Sequence, residues 1–139
     1  RRSSDLFAST QALHDAMCKV VTTADDAAKL ALINDHPDLV GNLAQAGRLT
    51  AESTREQSAA GLTQLSPAEV AAFERYNAAY RAKFGFPFVI CARENKKEAI
   101  LAAFPARLKN SPPREIETAI AEIFKIARLR LNDLIEEDA

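Results

Sequence analysis

A chain of 139 residues, 47% of them apolar, is long enough to bury one core and too short for two independent ones, so a single domain is expected. Lys and Arg number 18 against 19 Asp and Glu, and the two signs are interspersed; no basic stripe can neutralise a phosphate backbone, which argues against nucleic acid as a partner. Cys18 and Cys91 lie far apart without CxxC spacing, so neither a disulfide framework nor a zinc site is indicated and a reducing, cytoplasmic setting fits.

Residues 6–20 repeat apolar side chains at three and four positions, as an amphipathic helix does, and residues 24–34 do so again with Thr23 as the expected N-cap. Pro37 cannot continue a helix and pushes the preceding residue out of the helical region, so the second helix should stop close to His36. Residues 40–50, with Gly41 and Gly47 and weak periodicity, read as a loop or short helical turn leading to the segment at Ser53. Ser66-Pro67-Ala68-Glu69 is a capping box with proline in the first turn, and Val70, Phe73, Asn77, Tyr80 and Phe84 follow at helical spacing until Gly85 closes the helix. Residues 86–91 alone have strand-like composition; one short run cannot make a sheet, so a buried extended segment is expected. Asn95-x-x-Glu98 offers a cap for a helix toward Phe104 that Pro105 should kink or end, and Ser111-Pro112-Pro113 opens a last long helix. No apolar run approaches the roughly 20 residues a membrane span needs. The expected architecture is an all-α single-domain bundle of roughly six to eight helices with one short extended segment.

Four features bear on chemistry. His36, with an ordinary pKa of about 6.5, suits proton transfer at neutral pH, or simply caps a helix end by bonding a carbonyl. His14 lies in a helix with no chemical company. Ser53-x-x-Glu56 matches a capping box; alternatively, Glu56 and Gln57 set an acceptor and an amide side by side at a helix start, which would suit a ureido group. In the last helix Ile116, Ile120, Ile123, Ala127, Leu131 and Leu134 form an apolar stripe into which Arg130 falls, while Arg128 points to solvent. A guanidinium aimed at a core needs acceptors, so Arg130 is either half of a buried ion pair or a ligand clamp. The side chains of Phe86, Pro87, Phe88, Val89 and Ile90 cannot move protons, but an extended segment unpaired on one edge offers fixed N–H and C=O groups to an imide- or urea-like ligand.

Five motifs occur in order: His36-Pro37-Asp38-Leu39-x-Gly41, Leu49-Thr50-Ala51-x-Ser53-x-x-Glu56-Gln57, Ala60-Gly61-Leu62, Asn77-x-x-Tyr80-Arg81-x-x-Phe84-Gly85-Phe86-Pro87-Phe88, and Lys125-Ile126-x-x-Leu129-Arg130-Leu131. Together they resemble the 2-oxo-4-hydroxy-4-carboxy-5-ureidoimidazoline (OHCU) decarboxylases of urate breakdown. The resemblance implies an all-helical, commonly dimeric carboxy-lyase that needs no metal or organic cofactor and forms (S)-allantoin from a small-molecule ureidoimidazoline. It implies His36 as the catalytic histidine with Glu56 assisting. Pro37, Ser53, Thr54, Arg55, Gln57, Phe88, Val89, Ile90, Cys91 and Ala92 would contact the substrate, with Arg130 matching the arginine of the family's last helix. Sequences of that family usually carry another helix ahead of the point where this chain starts, so that helix is expected to be missing. The last residues carry no peroxisomal tripeptide, which keeps the cytoplasm as the expected compartment. The rival readings are a helical interaction module, marked by an exposed apolar patch, and a hydrolase of a cyclic urate product, for which no water-activating constellation is seen.

Overall fold

The computed structural model describes residues 3–41 and 50–138. Six α-helices run through them: α1 (Ser3–Thr22), α2 (Asp26–Asn34), α3 (Ala51–Ala59), α4 (Pro67–Phe84), α5 (Lys97–Leu108) and α6 (Pro112–Asp138). A 3₁₀ turn, Ala92–Glu94, lies between α4 and α5, and no strand occurs among the described residues. The all-α expectation is met. No helix among the described residues is long and apolar enough to cross a membrane.

Local signals set most helix ends. The Ser66 hydroxyl accepts from Glu69 N–H while the Glu69 carboxylate accepts from Ser66 N–H, completing the capping box, and Pro67 opens α4 without sacrificing a bond. Gly85 ends α4 with φ 79°, a left-handed conformation that a side chain would strain. Two caps fall elsewhere than expected. Asp25, not Thr23, caps α2 by accepting from Ala28 N–H; the Thr23 hydroxyl turns back to the Lys19 carbonyl, and a side chain so engaged cannot cap the next helix. Lys96 stands at the N-cap of α5, while the expected Asn95 spends its amide on the Cys91 carbonyl. Pro105 does not end α5, which runs on to Leu108: burial of Ile100, Phe104 and Arg107 on one face outweighs the single backbone bond a proline removes.

The extended run at residues 86–91 is buried throughout and carries no regular secondary structure, as its composition suggests. Its aromatics build the core. Phe88 stacks on Phe104 at 3.9 Å between ring centroids, and Tyr80 meets Phe86 and Phe88 edge-on at 5.8 and 5.3 Å. Each such fully buried ring contributes about 2–3 kcal/mol. Helix α6 spans 27 residues, about 40 Å, and serves as the backbone of the domain, with α1 and α2 packed along it. Its buried face is Glu115, Ala119, Ile120, Glu122, Ile123 and Ile126. Leu134, expected in the apolar stripe, is 55% exposed. His14 also departs from expectation: it is buried, shares a hydrogen bond at Nε2 with the Phe124 carbonyl (3.0 Å), and so ties α1 to α6, with Cys18 Sγ at 3.7 Å.

Candidate functional site

Helix α2 stops at Asn34 and the chain leaves it through His36, whose backbone N–H donates to Ile33 and whose Nδ1 lies 3.0 Å from the Leu32 carbonyl. A carbonyl only accepts, so Nδ1 carries the proton and Nε2 keeps its lone pair. The helix-end bond and a proton-transfer role are therefore compatible: the first fixes the tautomer the second needs. Burial, reinforced by the Arg130 charge, lowers the His36 pKa from its ordinary value against the opposing pull of the Leu32 bond, so the imidazole stays neutral at physiological pH.

The residues after His36 are held from three sides. Arg81 Nε donates to both carboxylate oxygens of Asp38 at 3.2 Å, Asn77 Nδ2 to the Leu39 carbonyl at 2.8 Å, and Val40 N–H to Gln57 Oε1 at 3.2 Å. These restraints keep Val40 at φ 53°, a costly conformation for a β-branched residue and one that persists only where its surroundings over-determine it. Gly41 follows by necessity, since a Cβ there would stand 2.9 Å from Asp38 Cβ. The remainder of the expected loop after it, residues 42–49, lies outside the described residues.

Helix α3 starts one turn earlier than the Ser53 capping box requires. Thr50 is the N-cap, accepting from Ser53 N–H, so Ser53 and Glu56 are helical and Glu56 is free of backbone duty. Its carboxylate instead receives Arg130 in a bidentate pair, Nε to Oε2 at 2.9 Å and Nη2 to Oε1 at 2.7 Å. Arg130 thus forms an ion pair, with the two side chains 38% and 12% exposed. Arg130 Nη1 makes no bond to the protein among the described residues. Gln57 is buried, and with Oε1 taken by Val40 its Nε2 is a donor without a partner among the described residues.

One cleft brings these groups together. His36, Pro37, Ser53, Glu56, Gln57 and Arg130 line it from one side, and Phe88, Val89, Ile90, Cys91 and Ala92 from the other. Of the residues that the resemblance assigns to catalysis or substrate contact, only Thr54 and Arg55 stay outside, both exposed on the far face of α3. Leu39, Ile126 and Arg93 also line the cleft and were not anticipated. Arg93 pairs with Asp133 on α6 at 2.6 and 3.2 Å, a contact across 40 residues that no local pattern announces. A second, mostly apolar recess between α1, α2 and α6 backs onto the same His36, Ile126 and Arg130. It lacks Glu56, Gln57 and the extended segment, so it is the first cleft that sets His36 and Arg130 beside an acid and an amide. Among the described residues no cluster of three or more His, Cys, Asp or Glu is arranged to hold a metal.

The OHCU decarboxylase family model matches residues 2–132. An OHCU decarboxylase of Amia calva is 44% identical over 130 residues, which span 94% of this chain and 74% of that one. A solved structure described as OHCU decarboxylase in the presence of (S)-allantoin superposes with a TM-score of 0.74 at 26% identity, over 91% of this chain and 82% of the other. One described as (S)-allantoin synthase gives 0.68 at 30% identity, over 89% of this chain and 37% of its own. A family match over nearly the whole length, together with one cleft that gathers the motif residues, makes this chain a member of the OHCU decarboxylase family.

Proposed function

We propose that the chain decarboxylates 2-oxo-4-hydroxy-4-carboxy-5-ureidoimidazoline to (S)-allantoin, with His36 as the acid/base. The observation that carries this reading is the meeting of a tautomer-fixed imidazole, a carboxylate–guanidinium pair, a buried amide and the backbone edge of residue 90 on one cleft.

In this substrate the carbon bearing the hydroxyl and carboxylate adjoins a ring C=N bond. As carbon dioxide leaves, the electron pair of the broken C–C bond forms a ring C=C bond and the ring nitrogen takes up one proton, leaving an enol of allantoin. The enol hydroxyl then gives up a proton and the ureido-bearing carbon gains one. His36 Nε2, neutral and accepting, suits the first transfer, and the imidazolium so formed returns the proton to carbon from its own side of the cleft, which fixes one hand of the product. Glu56 acts through Arg130: the bidentate pair orients the guanidinium and leaves Nη1 for a ring or ureido oxygen, where negative charge grows. Placed on the departing carboxylate, the same charge would stabilise substrate more than transition state.

The peptide edge of residue 90 supplies recognition. Ile90 N–H and C=O make no bond to protein among the described residues, and Ile90 lines the cleft, so both atoms suit the H–N–C=O edge of a ureido or imide group, as does the Gln57 amide. Freshly oxidised urate, followed by circular dichroism with and without the protein, tests the whole reading. A faster approach to the (S)-allantoin signal is expected, and decay at the spontaneous rate to racemic product would overturn it. We also read the protein as a homodimer, on the ground that Leu13, Met17 and Val20 make an exposed apolar face on α1; a light-scattering mass of twice 15.2 kDa is expected, and a single-chain mass at every concentration refutes it.

A further inference from the structure

Two charged side chains lie behind the cleft without entering it. Arg107, 8% exposed, donates from Nη1 to the Val89 carbonyl at 2.6 Å and sits over the Phe88 ring at 4.2 Å. Glu122, 9% exposed, accepts the Cys91 N–H at 3.1 Å. Neither lines the cleft, whereas Val89, Ile90 and Cys91 all do.

The peptide bonds joining these residues are trans, and in a trans peptide the C=O and N–H point to opposite sides of the chain. With the Val89 carbonyl drawn to Arg107, the Ile90 N–H must point away from it. With the Cys91 N–H drawn to Glu122, the Ile90 carbonyl must point away in turn. The donor and acceptor of residue 90 are therefore aimed by two side chains that touch neither of them. The charges also act through the amides: a cation on the Val89 oxygen makes the Ile90 N–H a stronger donor, and an anion on the Cys91 N–H makes the Ile90 oxygen a stronger acceptor.

We infer that Arg107 and Glu122 are positioning residues that orient and polarise the two backbone groups of Ile90, and so set the preference of the cleft for ligands carrying an H–N–C=O edge. The inference rests on the reading of Ile90 given above. Hydantoin has such an edge, and 1,3-dimethylhydantoin keeps the ring and carbonyls but has no N–H. Protein-observed NMR titration with each gives an affinity ratio for the unaltered protein and for Glu122→Gln, a variant that keeps shape and an acceptor while removing the charge. Its other contact, with the half-exposed Lys125, is of the kind that contributes little. The ratio is expected to favour hydantoin in the unaltered protein and to fall by about threefold to tenfold in Glu122→Gln, with 1,3-dimethylhydantoin affinity and melting temperature unchanged. A ratio unaltered by the substitution, or an equal loss for both ligands with a lowered melting temperature, overturns the positioning role and leaves Ile90 as a reader. Equal binding of the two, or of neither, by the unaltered protein overturns both readings. Arg107→Lys disturbs the buried contacts to Glu115 as well, which makes Glu122→Gln the decisive substitution.

Discussion

Replacing His36 by alanine is expected to cut turnover by about 10²–10⁴-fold while the melting temperature stays close to that of the unaltered protein. The two effects separate because the imidazole makes one hydrogen bond among the described residues, to Leu32, at a half-buried helix end, and such a neutral bond contributes about 1 kcal/mol net. Turnover by the proposed mechanism, by contrast, needs a base whose lone pair faces the substrate. Burial holds the His36 pKa below its ordinary 6.5, so the working form persists into mildly acidic solution and the acid limb of kcat/KM is expected below pH 6.5. The same shift has a sign for stability. Below pH 6.5 the unfolded chain takes up a proton that folded His36 does not, so the folded state loses ground as the pH falls through that window. An acid limb above pH 6.5, or near-normal decay of fresh substrate by His36→Ala, would remove the imidazole from the chemistry.

The features readable from sequence are those whose cause is local. The Ser66 capping box, the left-handed Gly85 and the stop imposed by Pro37 each depend on residues within a few positions, and each is found where the pattern puts it. Local rules fail where two local partners compete: Thr50 and Ser53 both fit an N-cap, and the choice of Thr50 frees Glu56 for Arg130. That pair spans 74 residues, so sequence offered each member two fates and could not join them. Arg107 was missed altogether. Set between Ala106 and Leu108 and followed by Lys109, it reads as one of several surface cations, and only packing of α5 against the extended segment and α6 turns it inward. The residues that the resemblance assigned gather on one cleft apart from Thr54 and Arg55, because a run of neighbours on a helix cannot all face one way.

Arg107→Met is expected to destabilise the fold by about 3–5 kcal/mol, the usual cost of removing one partner of a buried ion pair. Glu115 is fully buried, and one of its oxygens holds both Arg107 Nε at 2.7 Å and the Tyr80 hydroxyl at 2.6 Å while the other takes Asn110 at 2.8 Å. Burial, aided by that carboxylate, pushes the Tyr80 pKa well above its ordinary range, so the phenol remains a donor. Methionine fills the space of the arginine stem but leaves Glu115 without its counter-charge and the Val89 carbonyl without its donor. Pairing Arg107→Met with Glu115→Leu should recover part of the loss, because an apolar pair does not carry the desolvation cost of an unpaired carboxylate, although Tyr80 and Asn110 then lose their acceptor. Chemical denaturation of the two variants measures this directly, and a single variant as stable as the unaltered protein would refute the account. Arg130→Met makes the opposite case: the Arg130 side chain is 38% exposed at the cleft, so its removal lets water reach the Glu56 carboxylate, and the expected defect is larger in turnover than in unfolding. The two arginines thus divide the labour of one segment of cleft wall, Arg107 holding the backbone from behind and Arg130, paired with Glu56, lining the cleft itself.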